Sequence, residues 1–316
     1  MIQRMYPIQK LSRSAFVPIR HLRYHVRLWG TPSSEKPPLV MVHGWMDVAA
    51  SFQFVIDALQ DNHWVIAPDW RGFGLTETPK TDHFFFPDYL ADLDQLLDHY
   101  VGDTPVNLLG HSMGGHVATM YAGIRPERIH KLINLEGFGM PATRPTQAPG
   151  RLAKWMDQLQ ALQQGEIDLK PYPSLEAVAQ RLIKTNPRLG SDKAHWLAQH
   201  WARANDQGEW RILGHAAHKV VNAQLFKTDE TQAIYQRITA PTLCVVASTD
   251  SMSQWWQDSY TLAEFMERIA VVPNLTHAVI EDAGHMLHHD QPEQLAQWIE
   301  HFISKNEYLK NPNKKN

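Results

Sequence analysis

Residues 106–124 read VNLLGHSMGGHVATMYAGI, an apolar run that ends at a glycine and is followed almost at once by a helical pattern. The run Val106–Leu109 predicts a strand that is buried on both faces. A Gly-x-Ser-x-Gly pattern fills the turn between the two elements, with Ser112 at its centre, and its two glycines suit a tight bend. Ser112 is therefore a candidate nucleophile. The N–H of Met113, at the start of the helix, is a candidate donor to an oxyanion.

The same alternation of strand and helix extends on both sides of this turn. Further strands are predicted at 38–44, 64–67, 131–135, 241–247 and 278–280, and further helices at 51–59, 87–100, 257–268 and 292–303. Ser51 is the expected N-cap of the first of these helices. An antiparallel pair of strands is predicted within residues 16–29. This order predicts an α/β protein with a mostly parallel central sheet that is flanked by helices on both faces.

The alternation breaks between residues 139 and 235, a stretch of roughly one hundred residues that is longer than an ordinary connecting loop. Helical patterns fall in this stretch, but no clear strand does. We therefore expect a helical cap inserted after the sixth strand, with residues 1–138 and 236–316 forming the α/β core. The tryptophans of the cap either pack within a helical layer or line an apolar pocket.

Polar residues at the ends of later strands complete a set for nucleophilic catalysis. A serine hydroxyl needs a base and a carboxylate that orients the base, and the carboxyl ends of parallel strands share one edge of the sheet. His285 follows the last predicted strand and is the candidate base. Asp250 follows the strand before it and is the first candidate for the carboxylate, although it also fits a turn or helix-capping residue. Glu136, after the strand at 131–135, is the alternative acid.

His43-Gly44-Trp45 closes an earlier strand at the same edge. Because Gly44 allows the backbone to turn toward the serine, the N–H of Trp45 is the second candidate donor to an oxyanion. We interpret His43 as a residue that orients this loop by hydrogen bonds. The candidate lining of a substrate pocket comprises His43, His111, Met140, Trp155 and Trp255.

Neither a metal nor an organic cofactor is expected. The run His288-His289-Asp290 contains residue types that bind metals, but no partner ligands stand at metal spacing in the sequence. We interpret this run as a solvated start of a helix. Cys244 is the single cysteine of the chain and lies in an apolar run, so it is expected to be a buried strand residue.

Charge and hydropathy exclude several classes of partner. The net charge is −3, so there is no strong basic field for nucleic acid or anionic lipid. No apolar stretch approaches the roughly 18 residues that span a bilayer. Residues 1–22 lack the continuous apolar core of a secretory signal, and residues 305–316 form a polar tail. We expect a cytoplasmic protein, not bound to membranes, that acts on a small molecule such as an apolar or aromatic acyl compound.

The chain resembles the α/β-hydrolase superfamily over nearly its whole length. The resemblance rests on the elbow around Ser112 and on Asp69-Trp70-Arg71-Gly72-Phe73-Gly74, Pro126-Glu127-Arg128 and Gln291-Pro292-Glu293. Within the superfamily, Leu135-Glu136-Gly137-Phe138-Gly139 and Ala217-His218-Lys219 resemble the serine hydrolase-like proteins. Epoxide hydrolases and haloalkane dehalogenases place aspartate at the elbow, and Ser112 differs from both.

The order Ser112, Asp250, His285 is the nucleophile, acid, histidine order of this fold. It predicts a carboxylesterase-like serine hydrolase that cleaves a carboxylic ester, thioester or lactone through an acyl-enzyme. Two alternatives remain open at the level of sequence. One is a hydrolase that cleaves C–C bonds of ring-fission diketones with the same triad. The other is a non-catalytic binding protein on the same scaffold, for which an intact triad would be unnecessary.

Overall fold

The computed structural model describes residues 5–304, so the expected polar tail at 305–316 and the first four residues of the expected core lie outside the described residues. Its strands are β1 (Arg13–Ile19), β2 (Leu22–Trp29), β3 (Leu39–Val42), β4 (Val65–Pro68), β5 (Val106–His111), β6 (Ile129–Leu135), β7 (Ala202–Ala204), β8 (Trp210–Ile212), β9 (Thr242–Ala247) and β10 (Leu275–Ile280). Its α-helices are α1 (Gln53–Ala58), α2 (Phe86–Val101), α3 (Met113–Ile124), α4 (Ala148–Gln163), α5 (Leu175–Thr185), α6 (Ser191–Trp201), α7 (Thr228–Tyr235), α8 (Met252–Trp256), α9 (Leu262–Ile269), α10 (Leu287–Asp290) and α11 (Pro292–Ser304).

Eight strands form the central sheet in the order β1-β2-β4-β3-β5-β6-β9-β10. Strand β2 runs antiparallel to both of its neighbours, and the other neighbouring pairs are parallel. The predicted fold class and the early antiparallel pair are therefore confirmed. Strands β3, β4, β5 and β9 are buried along their whole length, which is why their sequences are mostly apolar.

Two apolar layers cover the two faces of the sheet. Helices α2, α3 and α9 contribute to one layer, with Leu93, Val117 and Phe265 fully buried. Helices α1 and α11 contribute to the other, with Val55 and Ile299 fully buried. Within residues 5–304, no helix has both the length and the apolar character needed to cross a membrane.

Between β6 and β9 the chain forms helices α4 to α7 and a short antiparallel pair, β7 with β8. The expectation of no strand in this stretch was wrong, because strands of three residues are too short to produce an alternating pattern. Trp210 lies in β8, and Trp196 packs against Phe54 of the core with ring centroids 5.6 Å apart. The buried cluster around Trp196 includes residues of α5, α6 and the 3₁₀ turn at 49–52, so it joins the insertion to the core.

Helix α7 packs on the core, although the expected boundary placed it within the insertion. Tyr235 is buried in the same apolar layer as Val117. A Cβ at Gly123 of α3 would lie 2.1 Å from the carbonyl oxygen of Ile234, so only glycine permits this close approach of α3 and α7. The contacts of α7 are thus those of a core helix.

His218 provides a second attachment of the insertion to the core. Its imidazole is sandwiched between Phe73 and Phe84, with ring centroids 3.8 Å and 3.6 Å away and nearly parallel planes. Phe73 belongs to the loop at 69–74 that follows β4. The insertion therefore rests on a loop that, as shown below, also contacts the candidate site.

A buried ion pair holds the loop at 69–74 in place. Arg71 donates from Nε and Nη2 to the two carboxylate oxygens of Asp92 at 2.6 Å and 2.7 Å, and the hydroxyl of Tyr24 also donates to this carboxylate. Asp92 lies on α2 and is fully buried. A charge in such a place is tolerated only while it is paired.

We expect Asp92→Asn to lower the free energy of unfolding by about 3 kcal/mol, because it removes the fully buried carboxylate that pairs with Arg71 and Arg20 and leaves Arg71 with the more exposed Asp88. Asp98→Asn is the matched control, since Asp98 is also on α2 and pairs with Arg128, but its side chain is 58% exposed. This control should lose less than about 1 kcal/mol. Urea unfolding measures both. Equal losses in the two variants would contradict the assignment.

Candidate active site

Ser112 stands on a turn that only small neighbours permit. Its φ of 54° and ψ of −119° place a non-glycine residue in a strained conformation between β5 and α3. A Cβ at Gly110 would lie 2.2 Å from the carbonyl oxygen of Gly114, and a Cβ at Gly114 would lie 2.3 Å from that of Val42. The predicted strand and helix on either side are confirmed. The strain and the close contacts are those of a nucleophile elbow.

The carboxylate that contacts His285 is that of Glu136. Oε2 of Glu136 accepts a 2.9 Å hydrogen bond from Nδ1 of His285, and the Glu136 side chain is only 2% exposed. The same oxygen accepts from Oγ of Ser251 at 2.9 Å, and Oε1 accepts from the N–H of Ala247 at 2.8 Å. Because an ionised carboxylate only accepts, Nδ1 of His285 carries a proton. Nε2 is thus the acceptor of the neutral ring.

Asp250 lies elsewhere, and the expectation that its carboxylate orients His285 does not match the hydrogen bonding. Its Oδ1 accepts from the N–H of Met252 at 2.9 Å and from that of Ser253 at 3.2 Å, so it caps the start of α8. Strand β9 ends at Ala247, three residues earlier, and the turn that follows directs Asp250 to its own helix. The alternative acid of the sequence analysis, Glu136, occupies the position beside the histidine instead.

The loop after β3 passes directly over Ser112. A Cβ at Gly44 would lie 3.0 Å from the Cβ of Ser112 and 3.1 Å from Nδ1 of His111, so glycine relieves a tight approach here. Trp45 follows on the same loop, with its side chain 51% exposed. Met113 is the first residue of α3, where helix N–H groups have no partner within the helix. The backbones of both candidate oxyanion donors therefore lie beside Ser112.

His43 holds the loop after β3 by hydrogen bonds. Its Nδ1 donates to the carbonyl oxygen of Gly44 at 2.8 Å, and its Nε2 accepts from the N–H of Trp70 at 2.9 Å. Trp70 also donates from Nε1 to the carbonyl oxygen of His43 at 3.0 Å. Burial lowers the pKa of His43, which fits a neutral ring with one donor and one acceptor. His43 is fully buried, so it does not line a pocket, although it was one of the pocket candidates. Its hydrogen bonds agree with the interpretation that it orients this loop.

The remaining pocket candidates differ in their exposure and in their contacts with His285. His111 is buried and contacts the carbonyl oxygen of His285 through Nε2 at 2.8 Å, so it holds the histidine loop rather than lining a pocket. Trp255 of α8 is 47% exposed and meets the His285 ring edge to face, with centroids 4.3 Å apart. Met140 is half exposed, and its carbonyl oxygen accepts from Arg268. Trp155 of α4 packs near His83. Of the five candidates, Trp255 and His111 contact His285.

His288 and His289 are buried, so the interpretation of this run as a solvated helix start was wrong. Nε2 of each ring lies within hydrogen-bonding distance of Oγ of Ser51. The Ser51 hydroxyl therefore hydrogen-bonds these rings and does not cap α1, whose N-cap is Phe52. Asp290 faces away from them and accepts from the N–H of Gly284 and from Asn186. Sequence reasoning missed these contacts, because Ser51 and His289 are 238 residues apart.

Several of the buried histidines are held neutral by burial. The pKa of His116, on the helix behind Ser112, is lowered to about 4, and that of His218 is lowered to about 3. The pKa of His111 lies well below its ordinary value for the same reason, with the charges of His288 and His285 adding to the effect. Charging any of these rings opposes the folded state.

This makes stability depend on pH in a defined window. Unfolded histidines titrate near 6.5, so below this pH the unfolded chain binds protons that folded His116 refuses until about pH 4. Stability is therefore complete above 6.5 and lost as the pH falls. Between pH 7 and 5 we expect His116 alone to remove about 2 kcal/mol from the free energy of unfolding.

Urea unfolding of the wild type at pH 7, 6 and 5 measures this loss. His116→Gln should show a shallower decline, whereas His83→Gln, which changes a half-exposed histidine, should match the wild-type slope. A stability that stays flat from pH 7 to 5 would show that the buried histidines accept protons in the fold.

Residues 37–292 match the sequence model of a family that is described as the alpha/beta hydrolase fold. A serine hydrolase-like protein of Danio rerio is 30% identical over 194 residues, which is 61% of this chain and 58% of that protein. The chain thus spans little more than half the length of this relative. A cis-3-alkyl-4-alkyloxetan-2-one decarboxylase of Shewanella oneidensis is 26% identical over 279 residues, which is 86% of this chain and 83% of that protein.

Solved structures agree on the fold. A thioesterase domain from the curacin biosynthetic pathway superposes with a TM-score of 0.78 at 22% identity, covering 92% of this chain and 99% of that one. An E-2-(acetamidomethylene)succinate hydrolase gives a TM-score of 0.72 at 21% identity, covering 93% of this chain and all of that one. The resemblance to serine hydrolase-like proteins stated from the sequence is confirmed.

Proposed function

Because the chain belongs to the α/β-hydrolase fold family, we propose that it is a serine hydrolase that cleaves a carboxylic ester, thioester or lactone with Ser112 as nucleophile, His285 as base and Glu136 as the orienting acid. The observation that carries the proposal is the buried 2.9 Å hydrogen bond between Glu136 and His285, beside the strained elbow of Ser112. Glu136 replaces Asp250 in this assignment, since Asp250 caps α8.

The reaction proceeds in two steps through an acyl-enzyme. Nε2 of His285 takes the hydroxyl proton of Ser112 as Oγ attacks the carbonyl carbon, and the same proton then passes to the leaving group as its bond to carbon breaks. The N–H groups of Trp45 and Met113 bind the oxyanion. In the second step Nε2 of His285 takes a proton from water as the water oxygen attacks the acyl carbon. This proton then passes to Oγ of Ser112 as the bond between Oγ and carbon breaks, which releases the acid and restores Ser112. Glu136 remains ionised throughout and stabilises the charged imidazole.

The cap comprises residues 139–227 in this proposal, because α7 packs on the core. Trp255 supplies an exposed aromatic surface against His285, which favours an apolar acyl group or an aromatic leaving group near the histidine. One curated relative is named as a decarboxylase of oxetan-2-ones, which are lactones, so its name supports a lactone as a class of substrate but not the hydrolytic reaction.

Ser112→Ala should abolish labelling by a fluorophosphonate and lower turnover of p-nitrophenyl butyrate by about 10⁶-fold, because no other hydroxyl stands at the elbow. Ser253→Ala is the matched control, since this exposed serine donates to the backbone of Asp250 and should keep full labelling. Labelling that persists in Ser112→Ala, or a wild type that is neither labelled nor active on p-nitrophenyl acetate and butyrate, contradicts the proposal.

Glu136→Gln and Asp250→Asn together test the choice of acid. Glu136→Gln should lower kcat by about 10⁴-fold, because a neutral amide no longer stabilises the imidazolium and can hold the ring in the wrong tautomer. Asp250→Asn should stay near wild type, because asparagine caps a helix as well as aspartate does. Steady-state kinetics with p-nitrophenyl butyrate decides. If Asp250→Asn is the more damaging change, the acid is misassigned.

A further inference from the structure

Behind the candidate site, three metal-ligating side chains converge in the interior. Asp47, His288 and His289 are each less than 5% exposed, and one ligand atom of each lies within 4.8 Å of those of the other two. They come from two separate loops. Asp47 follows Trp45 by two residues, and His288 follows His285 by three.

The side-chain hydrogen bonds of this cluster leave polar atoms without partners. Oδ1 of Asp47 accepts from Nε1 of Trp201 at 3.1 Å, but Oδ2 is buried with no hydrogen-bond partner among the described residues. Nε2 of His288 lies 3.9 Å from this oxygen, which is within the range of an ion pair but too long for a hydrogen bond. A buried carboxylate oxygen without a hydrogen bond is costly, and a bound cation would satisfy it.

The two imidazoles also point at one place. Oγ of Ser51 lies 2.5 Å from Nε2 of His289 and 3.1 Å from Nε2 of His288. The hydroxyl can donate to one of these nitrogens and accept from the other, so both rings converge on Ser51. One ligand atom of each ring also lies within 4.8 Å of a carboxylate oxygen of Asp47.

We propose that Asp47, His288 and His289 form a binding site for a divalent transition metal of the zinc class. Two imidazoles and a carboxylate are ligands that zinc takes at about 2.0–2.2 Å, which places neighbouring ligand atoms about 3.4 Å apart in a tetrahedron. His288 and Asp47 are 3.9 Å apart, and all three ligand atoms lie within 4.8 Å of one another, so metal binding would draw them together by up to about 1.4 Å. Calcium and magnesium do not fit, because they require more oxygen ligands than one carboxylate and one hydroxyl supply.

The surroundings of the site give a bound metal a structural consequence. A cavity of about 10 Å³, lined by Asp47, Met46 and Trp201 among others, lies where the insertion meets the core. A metal here joins the loop that carries Trp45 to the loop that carries His285. Because it binds only the folded chain, it stabilises the fold in proportion to its concentration. The site does not depend on the hydrolase proposal.

Metal content and Co²⁺ absorption test the proposal directly. After dialysis against Zn²⁺, the wild type should retain about one equivalent by elemental analysis, and its melting temperature should rise with Zn²⁺ concentration. With Co²⁺ as the probe, it should show the visible absorption bands of a tetrahedral nitrogen and oxygen site. Asp47→Asn and His289→Gln should each weaken Zn²⁺ binding at least tenfold, as expected for loss of one of three ligands.

His285→Gln is the matched control, because His285 is the neighbouring histidine of the candidate catalytic site and is not a proposed ligand. It should retain one Zn²⁺. Circular dichroism of each variant establishes that it is folded, and the Co²⁺ spectrum of the wild type stands independently of every variant. Absence of Zn²⁺ binding and of tetrahedral Co²⁺ bands in the wild type overturns the proposal. So does a site that is lost in His285→Gln but kept in Asp47→Asn and His289→Gln.

Discussion

The hydrogen bond between Oε2 of Glu136 and Nδ1 of His285 ties together the ends of β6 and β10, and the candidate chemistry depends on it. Glu136 can hold the imidazole in one orientation because its own N–H and both of its carboxylate oxygens are hydrogen-bonded. Its N–H donates to Val245, and its carboxylate accepts from Ala247 and Ser251. A buried carboxylate with satisfied oxygens exerts its charge through a low dielectric, so it orients the imidazole strongly. The geometry of the candidate site therefore depends on the register of β6 against β9.

The other side of the site is held by a chain of contacts that starts in the core. The Asp92–Arg71 pair fixes the loop after β4, and Trp70 of that loop hydrogen-bonds His43 through both its backbone and its indole nitrogen. His43 in turn holds Gly44 over Ser112. The position of the candidate oxyanion donor at Trp45 thus depends on a buried ion pair in the core. This explains why one loop in the sequence combines a tryptophan with an arginine.

The sheet and the elbow could be predicted because their signals are local. Strands buried on both faces are rich in apolar residues, and the glycine at 110 is required by a close contact with Gly114 within the turn itself. The choice between Glu136 and Asp250 was not local. Both follow neighbouring strands at one edge, and only the turn after Ala247, which sends Asp250 to cap α8, separates them. The burial of His288 and His289 was not predicted for a similar reason, since nothing near them in the sequence indicates that Ser51 and Asp47 lie beside them.

A crystal structure of the protein after reaction with a fluorophosphonate tests the central claim most directly, because it observes the nucleophile, the oxyanion site and the acid together. The account predicts phosphorus bonded to Oγ of Ser112 and a phosphonyl oxygen within about 2.7–3.1 Å of the N–H groups of Trp45 and Met113. It also predicts Nδ1 of His285 still bonded to Glu136. An adduct on another residue, or a His285 whose Nδ1 has moved to Asp250, would contradict it.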